Sequence, residues 1–405
     1  MTLAVRPVTD AEYREYGQVM ALAFGVDYEE EKQAHERELI PLEDTLAAFD
    51  GDLMLGTEGA FRMTLAIPGG QVPMVGVTSV AVRPTHHRQG VLTAMMRARL
   101  DGMRQRGEWL AGLWASETMI YGRFGYGVAT ERLGLEIETR LSSFRSAILP
   151  QGDVRLIDRD EAAQVVPAIY DRVAAVWPGI VGRDAAWWRH LWRDEKEDRQ
   201  GRTALLFAVH STAAAPDGYA VYRTRSSWDP GSRSEVLLED LITESDAAYS
   251  GLWRYLLDLD LLPHLVAGRR PVDERLPWML SNRRALRANR SEGLWLRLVD
   301  VAAALSARRY LADGSLVLDI VDDFCPLNGG RYRLTCAAGE GSCERSDDPP
   351  DVSLAVAELG SVYLGGVSFN TLARGGLVRE MKPGAVARAD SLFRWHRRPW
   401  CDRVF

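Results

Sequence analysis

The stretch that determines the fold class is Gly76-Val-Thr-Ser-Val-Ala-Val-Arg-Pro-Thr-His-His-Arg-Gln-Gly-Val-Leu-Thr93. Its apolar and β-branched residues predict a strand closed by Pro84, and the apolar stripe that follows predicts a helix from about Gly90 to Arg106. The start of a helix leaves backbone N–H groups unpaired at the positive end of the helix dipole, which suits an anion. Gly90 lets a phosphate approach the backbone, and Arg88 adds positive charge. Taken alone, these two residues favour an ordinary strand–loop–helix connection over a phosphate site.

On both sides of this stretch, hydrophobic periodicity predicts short strands and helices in two successive blocks. The first block is predicted to contain strands at 3–5, 44–50, 59–67, 73–82 and 109–115, with helices at 13–24 and 90–106. The second is predicted to contain strands at 205–210, 219–223 and 236–242, followed by a helix at 247–259. This layout predicts an α/β protein with mixed (α+β) sheets.

The chain after a Gly- and Arg-punctuated segment at 282–293 has a different pattern. It is predicted to contain helices at 301–307, 367–374 and 385–395 and strands at 316–321, 332–336 and 353–356. The turn Asn328-Gly329-Gly330 between two of these strands predicts a hairpin. Because 405 residues exceed the usual size of one hydrophobic core, we expect three packed domains.

Composition indicates a globular protein and argues against several classes of function. The net charge of −7 disfavours nucleic acid as a partner, since that requires a basic face. No apolar run reaches the roughly 18 residues of a membrane helix, and the N-terminal residues lack the pattern of a signal peptide. The four cysteines have no CxxC spacing, so we expect no disulfide framework, no metal site and a cytoplasmic location.

Acidic side chains concentrate near the N-terminus, where residues 1–40 carry nine acidic and four basic side chains. The densest run comprises Asp27, Glu29, Glu30, Glu31, Glu36 and Glu38. Such a run is usually a solvated helix face. The functional alternative is a wall that attracts a cationic substrate.

Two motifs resemble those of known acetyltransferases. The loop resembles the acetyl-CoA loop of the GNAT superfamily, Arg/Gln-x-x-Gly-x-Gly/Ala, with Gly90 at its middle position and departures at His87 and Leu92. Val80–Leu92 and Ala115–Gly127 resemble more closely the motifs V-A-V-x-P-T-H-x-R-x-G-V/L-L and A-S-E-x-x-I-Y-G-R-F-G-Y-G of the Eis family of bacterial acetyltransferases. The resemblance extends over almost all of the chain.

The resemblance implies tandem GNAT domains, the second degenerate, and a C-terminal α+β domain like sterol carrier proteins. We therefore expect a catalytic GNAT domain at 1–145, a degenerate one at 146–290 and the sterol-carrier-protein-like domain at 291–405. In the second block, the loop Thr243-Glu-Ser-Asp246 has no glycine and places two carboxylates where a pyrophosphate would lie, so we expect no CoA there. The family also implies a homo-hexamer.

The resemblance further implies acetyl-CoA as the cosubstrate, with no metal. Backbone groups of Val80, Ala81 and Val82 would pair with the pantetheine arm and polarise the thioester carbonyl. The residues expected to hold the pyrophosphate are Arg88, Gln89, Gly90, Val91, Leu92 and Thr93. Ser116 and Glu117 would line the CoA channel beside the thioester.

The leaving thiolate needs a proton, and tyrosine is a suitable weak acid because it stays protonated at neutral pH. Tyr121 and Tyr126 both lie in the second motif. From the residues alone, core packing explains Tyr121 as well as catalysis does. The resemblance implies that Tyr121 is the general acid and that Tyr126 packs in the following strand.

The substrate amine must lose a proton, and the resemblance implies that the C-terminal carboxylate, here that of Phe405, is the general base. A free carboxylate is a weak base in water and needs desolvation or a relay. Chain ends are usually disordered, but Trp395, Trp400 and Phe405 are too apolar for a loose tail. The alternative bases are Asp27, Glu117 or an ordered water.

The acidic run falls in the substrate-pocket region of the family, where Asp27 and Glu36 would bind a cationic multi-amine substrate. We therefore expect N-acetylation of aminoglycoside antibiotics, an antibiotic-resistance activity, by direct transfer. One alternative is acetylation of lysine-bearing peptides or proteins. Another is a lipid carrier with inert GNAT domains. Neither nucleic acid nor membrane is expected as a partner.

Overall fold

The computed structural model describes residues 3–149, 151–212, 215–227 and 234–405. They group into two compact units. The first comprises the described residues up to Thr130 together with Leu294–His396 and Val404–Phe405. The second comprises Glu131–Gly293 and Arg397–Arg403.

The part of the chain up to Thr130 follows the predicted order of elements. Its strands are β1 Ala4–Arg6, β2 Thr45–Asp50, β3 Leu53–Ile67, β4 Gly70–Val82, β5 Leu110–Trp114 and β6 Gly127–Val128. Its helices are α1 Tyr13–Phe24, α2 Glu30–Leu39, α3 Val91–Gln105 and the single turn α4 Thr118–Tyr121. The strand expected at 59–67 begins at Leu53 instead. Gly56 and Gly59 lie inside it because neighbouring groups leave no room there, a Cβ on Gly56 meeting the carbonyl oxygen of Ala81 at 2.8 Å.

Residues 131–293 form the second α/β block. Its strands are β7 Glu131–Glu138, β8 Asp153–Ile157, β9 Leu206–Ser211, β10 Pro216–Arg225, β11 Glu235–Thr243, β12 His264–Arg270 and β13 Leu286–Glu292. Its helices are α5 Arg159–Ala174, α6 Ala185–Leu191, α7 Asp246–Leu257 and α8 Leu276–Met279.

The remaining residues form one strand of the first sheet and an α+β block. The strands are β14 Leu294–Leu298, β15 Gly314–Val321, β16 Gly330–Ala337, β17 Glu340–Arg345, β18 Val352–Ala355 and β19 Val378–Glu380. The helices are α9 Val301–Ala307, α10 Val356–Val362, α11 Phe369–Arg374 and α12 Ala385–Phe393. The predicted hairpin is present as the antiparallel pair β15–β16, with Ile320 opposite Gly330.

The strands assemble into three sheets. The first has the order β1-β2-β3-β4-β5-β14-β6, the second β13-β7-β12-β11-β10-β9-β8, and the third β17-β16-β15-β18-β19. β14 therefore completes the sheet of the N-terminal block, and β7 pairs in the second sheet between β12 and β13. The domain boundaries 145/146 and 290/291 remain predictions.

The core that matters for the site lies between α3 and the first sheet. The α3 side chains Met96, Leu100 and Met103 pack there with Val75 and Val77 of β4. Burial of each such side chain stabilises the fold by about 1.5–3 kcal/mol. This packing fixes the start of α3 next to the end of β4. Among the described residues, no helix is long and apolar enough to cross a bilayer.

Candidate active site

β4 and β5 are parallel neighbours that separate at one end. They pair at three positions, the last being Val77 opposite Leu113. Beyond that point β4 continues along β3 as far as Val82, and β5 continues along β14 as far as Trp114. Within the described residues, the backbone of 78–82 therefore has no strand partner on the β5 side. Backbone groups of this kind can pair with an extended ligand inserted between the strands.

A β-bulge re-aims the backbone at this opening. Pairing between β3 and β4 shifts register between Thr57 and Gly59, so that Glu58 opposes both Ser79 and Val80. Ser79 has a positive φ of 51°, which is uncommon for a residue other than glycine. The Thr57 hydroxyl donates a hydrogen bond of 3.1 Å to the carbonyl oxygen of Ser79. Bulges next to active sites commonly redirect backbone groups in this way.

The loop after β4 leads into an uncapped helix start. Gly90 stands at the N-cap of α3 with φ 86°, and Arg88 also has a positive φ of 61°. No side chain caps the first turn of α3, and a Cβ placed on Gly90 would meet no atom within 4 Å. Arg88, Gln89 and Thr93 are exposed, whereas Val91 is buried and Leu92 half-buried. The N–H groups of this turn thus face open space, as an anion site requires.

Tyr121 is the last residue of α4, and Ser116 and Glu117 lie immediately before that helix. Its side chain is buried, while Ser116 and Glu117 are exposed. Burial raises the pKa of Tyr121 to about 12, and the nearby charge of Glu58 adds to this shift. A hydrogen bond with the Ser116 hydroxyl opposes it. Tyr121 therefore holds its proton at neutral pH, and its hydroxyl contacts a group that reaches solvent.

Tyr126 is a core residue, in agreement with its predicted packing role, although it precedes β6 rather than lying inside a strand. Its ring packs edge-on against that of Tyr121, with the centroids 6.2 Å apart. It is fully buried, and in the described part of the chain its hydroxyl has no hydrogen-bond partner. Burial raises the pKa of Tyr126 as well. The preceding Gly125 has φ 83° and packs against Arg297 so closely that a Cβ would overlap the guanidinium.

The sequence interpretation missed a buried ion pair beside these tyrosines. Arg99 of α3 donates to Glu58 of β3 at 2.6 Å, and both side chains are almost fully buried. Arg99 also donates to the carbonyl oxygen of Asp44 at 2.8 Å. Burial raises the pKa of Glu58, an effect that Arg99 opposes. The available signal was a charged residue, Arg99, on the apolar stripe of α3.

The C-terminal residue is packed rather than frayed. The Phe405 ring lies edge-on against Phe61 with centroids 6.3 Å apart, and a Cβ on Gly76 would stand 3.0 Å from that ring. Val75 and Val77 face the core that contains Tyr121. Because side chains alternate along a strand, Gly76 faces the other side of the sheet. Phe405 and Tyr121 therefore flank β4 from opposite faces, next to the point where β4 and β5 part.

The two predicted substrate residues lie in the α1–α2 region. Asp27 is exposed in the loop between the two helices, whereas Glu36 is half-buried on α2. The charge of Glu36 contributes to the raised pKa of Tyr13, about 12, behind the larger effect of burial. Most of the remaining acidic run forms the exposed face of α2.

The second unit has a corresponding strand–loop–helix, β11 to α7, but its helix start is occupied by side chains. Ser245 caps α7 by accepting a hydrogen bond of 2.9 Å from the N–H of Ala248. The Ser245 hydroxyl donates to Asp217 at 2.5 Å, and Asp217 also contacts His210 at 2.6 Å. A capped helix start with nearby carboxylates disfavours an anionic ligand.

Three family models match the chain in the order of these blocks: an acetyltransferase (GNAT) domain over residues 4–129, a second acetyltransferase (GNAT) domain over 179–298, and a sterol carrier protein domain over 301–402. The molecule is thus an N-acetyltransferase built from two GNAT domains with mixed sheets and a C-terminal domain like sterol carrier proteins, which confirms the predicted fold class. It is 39% identical to an N-acetyltransferase of Streptomyces avermitilis over the full length of both chains. It is 33% identical to the N-acetyltransferase Eis of Mycobacterium bovis, over 88% of each chain.

The crystal structure of Eis1 from Mycobacterium abscessus superposes with a TM-score of 0.87 at 34% identity, covering 99% of this chain and all of the other. The chain belongs to the Eis family of N-acetyltransferases.

Proposed function

We propose that this protein transfers an acetyl group from acetyl-CoA directly to amines of a cationic multi-amine substrate such as an aminoglycoside antibiotic. The observation that supports this most is the opening between β4 and β5, with Tyr121 on one face of β4 and the C-terminal residue Phe405 on the other. An acid and a base on opposite sides of a thioester suit an acyl transfer, because one protonates the leaving group while the other receives a proton from the nucleophile.

The opening and the α3 start would hold the cosubstrate. Backbone groups of Val80, Ala81 and Val82 would pair with the pantetheine arm, and the bulge at Ser79 would aim an N–H at the thioester carbonyl. The N–H groups from Arg88 to Thr93 would bind the pyrophosphate at the positive end of α3. Ser116 and Glu117 would line the channel beside the thioester. No metal has a role in this scheme.

The transfer then needs two proton movements. As the substrate nitrogen bonds to the acetyl carbon, the Phe405 carboxylate accepts the proton that the amine loses. As the C–S bond breaks, the Tyr121 hydroxyl donates its proton to the departing thiolate. The pKa of Tyr121, about 12, keeps this hydroxyl protonated at neutral pH, so that it carries the proton that the thiolate needs. The remaining candidates for the base are Asp27, Glu117 and an ordered water.

The charge of the α1–α2 region supports a cationic substrate. Asp27 and Glu36 would bind ammonium groups, and the exposed acidic face of α2 would raise the local concentration of polycations. A homo-hexamer in the cytoplasm, without nucleic-acid or membrane partners, is the setting expected for this activity.

The test compares three acceptors at equal amine concentration: an aminoglycoside, a linear polyamine and a lysine-bearing peptide. Release of free thiol from acetyl-CoA measures the rate, and mass spectrometry counts the acetyl groups added. We expect the aminoglycoside to react fastest and to gain more than one acetyl group. Turnover of the peptide alone would instead assign the enzyme to protein lysine acetylation.

A further inference from the structure

The second GNAT domain contains the same kind of opening as the first. β11 and β12 are parallel and pair at four positions, the last being Leu238 opposite Ala267. Beyond that point β11 continues along β10 to Thr243, and β12 continues along β7 to Arg270. The two strands therefore part at their C-terminal ends, as β4 and β5 do.

This second opening is filled by the chain itself. The indole N–H of Trp400 donates to the carbonyl oxygen of Arg269 on β12 at 3.0 Å. The Arg269 side chain donates in turn to the carbonyl oxygen of Asp402 and to that of Glu239 on β11, both at 3.2 Å. Trp400 and Asp402, with 238–241 and 268–270, enclose a residual space of only about 10 Å³. Residues 400–402 therefore bridge the two separated strands.

Residues 400–402 are held by specific hydrogen bonds and close packing. Trp400 is 1% exposed, and its backbone N–H donates to the carbonyl oxygen of Pro178 at 2.8 Å. Gly179 lies so close that a Cβ there would stand 2.8 Å from the Trp400 backbone. The Trp400 indole also packs against Trp177 in a tilted arrangement, with the ring centroids 5.0 Å apart, and lies under the Arg270 guanidinium.

Buried charged side chains form the rest of the site around Asp402. Arg183 is buried between two carboxylates, pairing with Asp240 of β11 at 2.8 Å and with Asp402. The Tyr170 hydroxyl donates to the carbonyl oxygen of Val181 at 2.6 Å and lies 3.3 Å from the Asp402 carboxylate, and Tyr219 donates to Asp240 at 2.9 Å. A buried carboxylate needs such partners. This cluster therefore recognises an acidic residue at position 402.

We infer that the opening of the second GNAT domain is a binding site for the chain's own C-terminal segment, residues 400–402, in the place where an active GNAT domain holds its acyl carrier. This assigns the second domain the function of holding the tail, whose last two residues, Val404 and Phe405, belong to the first unit. The inference concerns occupancy of the second opening and stands whether or not Phe405 is the base.

Hydrogen exchange of the full-length protein, measured by mass spectrometry, tests whether residues 400–402 occupy the second opening. In the wild type, we expect slow exchange of the amides of residues 400–403. Trp400→Ala removes the anchoring indole, and Asp402→Asn removes the charge that Arg183 pairs while keeping the shape. Each is expected to speed exchange in 400–403 at least tenfold. The matched control is Val404→Ala, which lies just beyond the segment and is 44% exposed, and which should leave exchange in 400–403 unchanged.

A second arm uses wild-type protein and CoA alone, so it does not depend on any variant folding. CoA should slow exchange in 78–93 and leave 239–246 and 400–403 unchanged. Protection of 239–246 by CoA, or an unprotected 400–403 in the wild type, would overturn the inference. Loss of turnover in Asp402→Asn with an unchanged KM for acetyl-CoA would connect the tail site to catalysis. Full turnover in that variant, together with faster exchange, would count against Phe405 as the base and leave the tail site standing.

Discussion

Gly76 shows how a missing side chain makes room for a functional group. The residue lies on β4 between two core positions, and the Phe405 ring occupies the volume that a Cβ would enter. Sequence inspection could read Gly76 only as part of a strand, where glycine usually weakens pairing. Its role depends on a residue more than three hundred positions away, which no local pattern contains.

Gly76→Ala should displace Phe405 while leaving its carboxylate free. The new methyl group would stand 3.0 Å from the ring and 2.8 Å from the Met63 sulfur. Because small misplacements of a reacting group are costly, we expect kcat to fall about 10- to 100-fold. Gly112→Ala is the matched control: it faces Gly76 across the β4–β5 pair and crowds Met74 at 2.6 Å, not Phe405. Equal losses of kcat in the two variants, at equal Tm, would argue against a role for the Phe405 position.

Tyr121→Phe removes only a hydroxyl and tests the acid. Folding and CoA affinity should persist while kcat falls about 10²-fold or more. Tyr126→Phe is the control, since its hydroxyl is buried without a partner in the described part of the chain. If Tyr126→Phe is the inactive variant and Tyr121→Phe turns over normally, the acid has been assigned to the wrong tyrosine.

The pH profile of the wild type gives an independent reading of Tyr121. An acid acts only below its pKa, and the value of about 12 lies above the ordinary tyrosine value of about 10. The rate should therefore rise with pH as substrate amines lose their protons, without a descending limb before about pH 10. A fall centred well below pH 10 in kcat, with the protein still folded, would exclude Tyr121 as the acid.

At the scale of elements, the two GNAT domains repeat a strand–loop–helix with opposite chemistry at the helix start. α3 begins at an open glycine, whereas α7 begins at Ser245, which caps the helix and donates to Asp217 of β10. This contrast was predicted from the loops because anion binding depends on a few consecutive residues. The bulge at Ser79 and the Glu58–Arg99 pair were not predicted, since each depends on a partner in another element, 41 positions apart for the pair.

The helix-start contrast predicts one CoA site per chain. Gly90→Glu adds bulk and negative charge at the start of α3, so calorimetric titration should show one site in the wild type and none in the variant. Ser245→Gly is the control, because it removes the cap of α7 and should leave the stoichiometry at one. Two sites in the wild type, or undiminished binding by Gly90→Glu, would contradict the assignment of the cosubstrate to α3.

At the scale of the whole molecule, order along the chain and order in space diverge. β14 lies between β5 and β6, and β7 lies between β12 and β13. The C-terminal residues are likewise divided, with 397–403 in the second unit and 404–405 in the first. Local periodicity in the sequence predicted most strands and helices. The positions of β14 and β7 in their sheets could not be predicted in this way, because they depend on pairing between distant segments. Only the apolar character of Trp400 and Phe405 indicated that the tail is packed.

Because the tail is divided between the two units, altering the chain terminus is the most demanding test of the Phe405 carboxylate as the base. If the Phe405 carboxylate is the base, a few residues added after Phe405 would convert that carboxylate into a neutral amide and move the negative charge away. Turnover should then fall about 10²-fold or more, while CoA still binds with its wild-type stoichiometry. An N-terminal tag of the same composition is the control and should be harmless. Phe405→Leu retains the carboxylate and loses only the edge-on contact with Phe61, so it should lose much less. Undiminished turnover by the extended protein would mean that Phe405 carries no chemistry, and the base would then be sought at Asp27, Glu117 or an ordered water.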